Sequence, residues 1–289
     1  MEAAETSSTM SPEVLERTLS TIEIPPCPTI VAKVMGEAQK DVPDLNTLAK
    51  IIAADVGMAA LAIKLANSPM FSAGGGTRTV PQAVARLGTR NVVCVVVAVA
   101  LRAAMTGVPS AFLERFWSRA SAVAIGAGMI AKRLYRISPD EAYSFGLFHD
   151  AAIPVLMRRF PNYLDVVAEA RRSGVGIAAA EMSHFSCNHG IVGGLLARNW
   201  GLSPLVTQAI RFHHEPDLYS LPAETVPTEV LSLIAVGQVA ESLDGEMHGE
   251  MGIEDGAACE RAMSYLGISD SDLSDLRDDL SEALNEVGR

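Results

Sequence analysis

Apolar residues recur at helical spacing along most of the chain, and no convincing series of alternating strands separates these segments. In the segment 44–67 the apolar residues at this spacing include Leu45, Leu48, Ile51, Ile52, Leu61 and Leu65. Asp44 and Asp55 each precede one half of this segment, where an aspartate is a favoured N-cap. The pattern predicts an all-α protein with short connections.

Prolines and glycines indicate where the helices begin and end. Pro12 follows the N-cap candidate Ser11 and predicts a short leading helix, which stops at the breaker "PPCP" of residues 25–28. Gly88 closes a helix, and Thr89 is placed to cap the next. That next segment contains the apolar run "VVCVVVAVAL", which is far shorter than the roughly 20 residues of a membrane span and therefore predicts a buried helix.

The end of the chain predicts an acidic amphipathic helix. Its apolar stripe consists of Leu273, Leu276, Leu280 and Leu284, and acidic residues surround it. We expect this helix to pack on the body of the protein or on a partner.

Charge and composition argue against nucleic acid or anionic membrane as a partner. The 289 residues are 49% hydrophobic, enough for a substantial core, and carry a formal net charge of −11. Ala53, Gly57 and Ile63 have the spacing of a helix-turn-helix, but the second helix is polar only at Lys64 and Asn67. A DNA-reading helix needs polar and basic side chains, so we expect this one to be buried.

The cysteines and the first residues favour a cytoplasmic location. The four cysteines are far apart and form no CxxC pair, which fits free thiols in a reducing compartment. The stretch "MEAAETSSTM" is acidic and polar and lacks the basic and apolar regions of a signal peptide. It is expected to be a disordered tail.

A histidine and an aspartate, His149 and Asp150, adjoin within the apolar stretch "GLFHDAAIPVL". Such a pair is either a metal-binding site or a hydrogen-bonded helix end. The same two alternatives apply to His213 and His214, which follow a helix. The stretch "HFSCNH" places His184 and His189 beside a cysteine, but no second CxxC or HxxxH pair accompanies it, as a zinc cluster would need.

Several motifs in order resemble the HDOD domain, a relative of HD-type metal-dependent phosphohydrolases: "IEIPPCPTIVAKVM", "LAKIIAADVGMAALAIKLANSPMF", "VPQAVARLGTRNV", "FWSRASAVA", "SFGLFHDAAIPVL" and "GGLLARNWGLSPLVTQAIRFHHEP". The resemblance covers about residues 22–219 and implies a multi-helical bundle with an N-terminal lobe at about 22–108 and an HD-like lobe at about 109–219. A polar tail with a leading helix, 1–21, would precede it, and a helical extension, 220–289, would follow. The family's usual context is bacterial signalling, often as part of a response regulator.

The resemblance also implies that the metal site is degenerate. The upstream histidine of active HD enzymes falls at Arg119, the lysine of "HDIGK" falls at Ile153, and the late aspartate falls at Gly237. Arginine cannot ligate a cation, although Arg119 could pair with Asp150 instead. The candidate ligands that remain are His149, Asp150, His189, His213 and His214.

We therefore expect a non-catalytic regulatory scaffold that binds other signalling proteins and needs no cofactor. The alternative is a degenerate metal-dependent phosphohydrolase or cyclic-dinucleotide sensor that holds a divalent transition metal. Homo-oligomerisation stays open. Met70 and Phe71, before the glycine-rich loop, are the predicted anchors for a partner, together with the acidic helix after Ser269; the alternative is that both apolar side chains plug the core.

Overall fold

The computed structural model describes residues 12–71, 76–248 and 253–288, and these residues contain helices and no strand. The predicted all-α class is confirmed. The predicted tail before residue 12, including Ser11, and the glycines Gly74 and Gly75 lie outside the described residues.

The first group of helices packs around one long helix, α5. Asp44 and Asp55 cap α3 and α4 as predicted, because their carboxylates accept from the backbone N–H groups of Asn46 and Met58. The leading helix does begin at Pro12. The bounds are α1 Pro12–Leu19, α2 Thr29–Ala38, α3 Leu45–Ala53, α4 Val56–Ala66 and α5 Val80–Ala104.

Helix α5 is broken at Gly88, where the predicted helix boundary lies. The φ of Gly88 is 71°, in the region that side chains other than glycine rarely adopt. The valine run beyond the break is mostly buried, as expected of a core helix. By length and composition α5 alone among the described helices passes the test for a membrane span, and 61% of its most apolar window is buried inside the protein.

Helix α4 differs from the sequence prediction, because one face of it is exposed. Val56 is 87% exposed, and Leu61 is 37% exposed. The opposite face carries Met58, Ala62 and Leu65 into the core. The prediction that α4 is buried therefore holds for one face only, because its small apolar residues extend all round the helix and the remainder of the group covers only one side.

The second group is built on the antiparallel contact of α6 with α7, and α11, α12 and α13 complete it. A Cβ on Gly146 of α7 would lie 2.8 Å from the Cα of Ala124 on α6, so the two backbones touch at this glycine. The bounds are α6 Ser110–Arg133, α7 Pro139–Phe148, α8 Ile153–Arg159, α9 Tyr163–Ser173, α10 Ile177–Phe185, α11 His189–Asn199, α12 Pro204–Phe212 and α13 Thr228–His248, with a short 3₁₀ turn at Leu218–Ser220.

The apolar stripe of the C-terminal helix packs against the rest of the protein. The last helices are α14, Ile253–Leu266, and α15, Asp270–Gly288. Leu276 and Leu280 on α15 are buried, and a Cβ on Gly126 of α6 would lie 3.2 Å from the Leu280 side chain. The first alternative for this helix, packing on the body, is thus the one observed.

Met70 is a core residue, so its predicted role as an exposed anchor is wrong. Its side chain is 1% exposed and fills the notch at Gly128 on α6, where a Cβ would lie 2.3 Å from the methionine methyl group. Lys132 also donates to the Met70 carbonyl. Phe71 is half-buried and packs edge-to-face on Tyr143, with ring centroids 5.7 Å apart. Both side chains join the N-terminal helices to the α6–α7 pair.

Candidate metal centre

Four of the five candidate ligands meet at one place, although they come from three parts of the chain. Asp150 follows α7, His189 begins α11, and His213 with His214 ends α12. One ligand atom from each of Asp150, His189, His213 and His214 lies within 4.8 Å of the others. The packing of α11 on α12, and of α12 against α7, brings these side chains together.

A hydrogen bond at Nδ1 orients each of three histidines. Nδ1 of His149 lies 2.9 Å from the Gly146 carbonyl, and that of His213 lies 2.7 Å from the Ile210 carbonyl. Nδ1 of His189 lies 2.6 Å from a carboxylate oxygen of Glu181. Each of these acceptors requires Nδ1 to carry the proton, so Nε2 is the atom turned towards the cluster.

Three atoms at the centre are buried and make no hydrogen bond within the described part of the chain: Asp150 Oδ1, His189 Nε2 and His213 Nε2. The carboxylate oxygen lies 3.2 Å from His189 Nε2 and 3.6 Å from His213 Nε2, but neither contact has hydrogen-bond geometry. Ligands of one tetrahedral zinc, at about 2.1 Å from the ion, lie about 3.4 Å apart. The three atoms therefore fit a shared divalent metal.

Burial and nearby opposite charges have opposed effects on the pKa values of the residues in this cluster. Burial disfavours charge on His189, but the carboxylates of Glu181 and Asp150 outweigh it and raise the pKa of His189 to about 10. Burial lowers the pKa of His213, which is therefore neutral at pH 7. Burial opposes the charge on Asp150, yet His149 holds the pKa of that carboxyl well below its ordinary value. His214 is exposed, and its ring lies 4.1 Å from that of His213.

His149 takes part in a second group with Asp150 and Glu241. Its Nε2 lies 3.4 Å from Asp150 Oδ2 and 3.1 Å from Glu241 Oε1. Burial opposes a charge on this ring, but the two carboxylates outweigh it and raise the pKa of His149 well above its ordinary value. A protonated His149 thus satisfies both carboxylates without a metal.

Glu241 corrects the prediction that the late carboxylate is missing. Gly237 has no room for a side chain, because its Cβ would lie 2.2 Å from the ring of Phe145. The carboxylate comes from one turn later on α13, at Glu241. A search at the i+4 position of the helix would have found it.

Arg119 has a different partner from the one expected. Its Nε lies 3.5 Å from Oδ2 of Asp244, a buried carboxylate on α13, rather than beside Asp150. His248 also approaches Asp244, at 3.3 Å. Asp150 instead contacts the three histidines His149, His189 and His213. Sequence reasoning missed Asp244.

His184 does not join either ligand group among the described residues. It is exposed, and its Nδ1 contacts the Ala180 carbonyl one turn earlier. Cys187 is fully buried.

The HDOD domain model matches residues 24–216, and the chain belongs to this family. The fold is similar to that of an "HDOD domain protein with unknown function" from Geobacter sulfurreducens, with a TM-score of 0.67 at 22% identity, covering 95% of both chains. It is also similar to a "putative phosphohydrolase" from Shewanella amazonensis SB2B, with a TM-score of 0.70 at 22% identity over 95% of this chain and 97% of that one.

Two further relatives are longer than the matched region. A "putative signal transduction protein" from Marinobacter aquaeolei VT8 has a TM-score of 0.67 at 21% identity, and the match covers 96% of this chain and 64% of that one. An uncharacterized protein of Treponema pallidum is 24% identical over 231 residues, which are 78% of this chain and 43% of the relative. The chain thus spans less than half the length of this curated relative.

Proposed function

We propose that this protein is a non-catalytic regulatory module that acts by binding other signalling proteins. The observation that carries the proposal is the contact of Arg119 with Asp244. An arginine at the place of the upstream ligand brings a fixed positive charge next to a buried carboxylate, and a guanidinium cannot ligate a metal. An ion pair of Arg119 with Asp244 thus occupies the position where the family has its upstream metal ligand.

Two further positions favour the absence of hydrolysis. Ile153, at the place of the family's lysine, offers no charge to a phosphate group. Phe145 fills the space next to Gly237, so no carboxylate fits at the late aspartate position. Metal-assisted hydrolysis needs a ligand set that activates water. This chain lacks the family's upstream histidine and its lysine, and Glu241, one turn beyond the late aspartate position, pairs with His149. The name of the Marinobacter relative is consistent with a signalling role.

A turnover assay tests this proposal. Purified protein is incubated with cyclic dinucleotides and a chromogenic phosphodiester in the presence of Mn²⁺ or Zn²⁺, alongside His149→Ala. We expect equal background rates for the two proteins. Metal-dependent turnover by the wild type that is lost in His149→Ala would establish the phosphohydrolase alternative instead.

A specific observation favours metal binding as a second feature of this module. Asp150 Oδ1, His189 Nε2 and His213 Nε2 converge, are buried and lack hydrogen bonds within the described residues. Buried polar atoms without partners are costly, and imidazole and carboxylate ligands suit zinc, iron or manganese. We propose that these residues and His214 hold one divalent transition metal. Such an ion would be a Lewis acid and would link α7, α11 and α12.

Elemental analysis after reconstitution tests the metal. We expect about one ion per chain, bound strongly enough to raise the melting temperature at excess metal. His213→Ala should lose it, and His184→Ala, which removes a histidine outside the cluster, should retain it. Less than about a tenth of an ion per chain, with no stabilisation by zinc, would remove this proposal and leave the scaffold proposal intact.

A further inference from the structure

Glu181 is a fully buried carboxylate that the sequence gives no reason to single out. It lies on α10, and its side chain has no exposed area. An isolated buried carboxylate is very costly, so its partners must compensate it. It accepts three hydrogen bonds, which come from two residues: His189 and Tyr163.

The bonds to His189 control both its backbone and its ring. Oε2 of Glu181 accepts from the backbone N–H of His189 at 2.9 Å and from its Nδ1 at 2.6 Å. The first contact holds the start of α11, and the second holds the ring and its tautomer. Nε2 then lies 3.2 Å from Asp150 Oδ1, at the centre of the ligand group.

The other oxygen of Glu181 is held by Tyr163 on α9. The tyrosine hydroxyl donates to Oε1, and the ring, 1% exposed, stacks on Phe185 with centroids 5.9 Å apart. Burial and the carboxylate raise the pKa of Tyr163 well above its ordinary value, so the phenol keeps its proton and remains the donor. Tyr163, Glu181 and His189 thus form a hydrogen-bonded chain from α9 to the cluster.

We propose that Glu181, supported by Tyr163, is the positioning residue of the metal site. It selects the Nδ1–H tautomer of His189, aims Nε2 at the ion and increases the basicity of that ligand. This inference rests on the proposed metal binding. It extends that proposal to residues outside the ligand set, on α9 and α10.

Calorimetric titration of metal-free protein with zinc tests the inference. Glu181→Gln keeps the shape and can still accept from His189, but it loses the charge, and we expect affinity to fall about 10- to 100-fold. Glu169→Gln, an equal charge change at an exposed position of α9, should stay within about twofold. Affinity of folded Glu181→Gln within about twofold of wild type would overturn the inference.

Cobalt provides a readout that a purely structural role would not alter. The visible absorption of bound Co²⁺ reports its ligands, so Glu181→Gln should shift the band, whereas Glu169→Gln should leave it in place. An unshifted band in Glu181→Gln would contradict the positioning role. If Glu181→Gln fails to fold, Tyr163→Phe replaces it, with an affinity loss of at least about threefold expected and an unchanged affinity refuting the inference.

The two proposals fail in different ways. A wild-type protein that binds neither zinc nor cobalt refutes the metal site, and the role of Glu181 with it. A wild type that binds metal while Glu181→Gln binds equally well refutes the role of Glu181 alone.

Discussion

Replacing Gly146 with alanine should destabilise the protein, although alanine is the better helix former. The new Cβ would lie 2.8 Å from the Cα of Ala124, and 3.0 Å from both its nitrogen and the Val123 carbonyl oxygen. Ordinary contact begins near 3.4 Å, so α6 and α7 would have to separate by 3.4 − 2.8, or about 0.6 Å. All three neighbours are backbone atoms, which cannot rotate away.

The expected change in the free energy of unfolding of Gly146→Ala is the sum of two opposed contributions. Overpacking of a tight core costs about 1–3 kcal/mol, and this contact with rigid backbone belongs at the upper end. Alanine gains about 1 kcal/mol over glycine inside a helix. We therefore expect a net loss of about 2 kcal/mol in the free energy of unfolding.

Gly36→Ala is the matched control. Gly36 is also helical, on α2, and its Cβ would meet nothing within 4 Å. This variant should gain about 0.5–1 kcal/mol, so the two variants should differ by about 3 kcal/mol. Urea unfolding followed by circular dichroism measures both. Equal stability of Gly146→Ala and wild type would refute the close α6–α7 packing that holds His149 and Asp150.

Four other outcomes are expected. Met70→Ala should cost about 2–5 kcal/mol in a urea melt because the side chain is buried, while the exposed Val56→Ala should change stability by less than about 0.5 kcal/mol. A loss below about 1 kcal/mol for Met70→Ala would contradict the burial of this side chain. Leu280→Ala should cost about 2–5 kcal/mol if α15 packs on α6, and a loss below 1 kcal/mol would place that helix elsewhere. Gly237→Asp should destabilise the protein without producing hydrolysis, because Phe145 occupies the space; a folded, active variant contradicts this. Zinc affinity should rise about tenfold per pH unit between pH 6.5 and 8. The reason is that His189, with its pKa raised to about 10, is protonated throughout that range and must lose one proton to bind zinc. Chelator competition measures the affinity, and an affinity that does not change with pH would show that no such proton is displaced.

Much of the helical architecture could be predicted because its signals are local. Asp44 and Asp55 cap helices through hydrogen bonds to residues only two and three positions ahead. Gly88 breaks α5 because only its own backbone conformation is involved. The candidate ligands were also found in advance, through motifs that carry the HDOD resemblance, and the structure brings His189, His213 and His214 to Asp150.

The partners of those ligands could not be predicted in the same way. Glu241 is 92 residues from His149, and Asp244 lies on the same distant helix opposite Arg119. In the sequence these acidic residues look like any solvated helix face, since nothing local distinguishes a buried carboxylate from an exposed one. Met70 looked like an anchor for the same reason, because the notch that receives it exists only where Gly128 of α6 passes. The sequence by itself determines the helices and the types of ligand they carry. Which charges are buried, and therefore which must be paired, depends on how distant helices pack, because burial is a property of the assembled core.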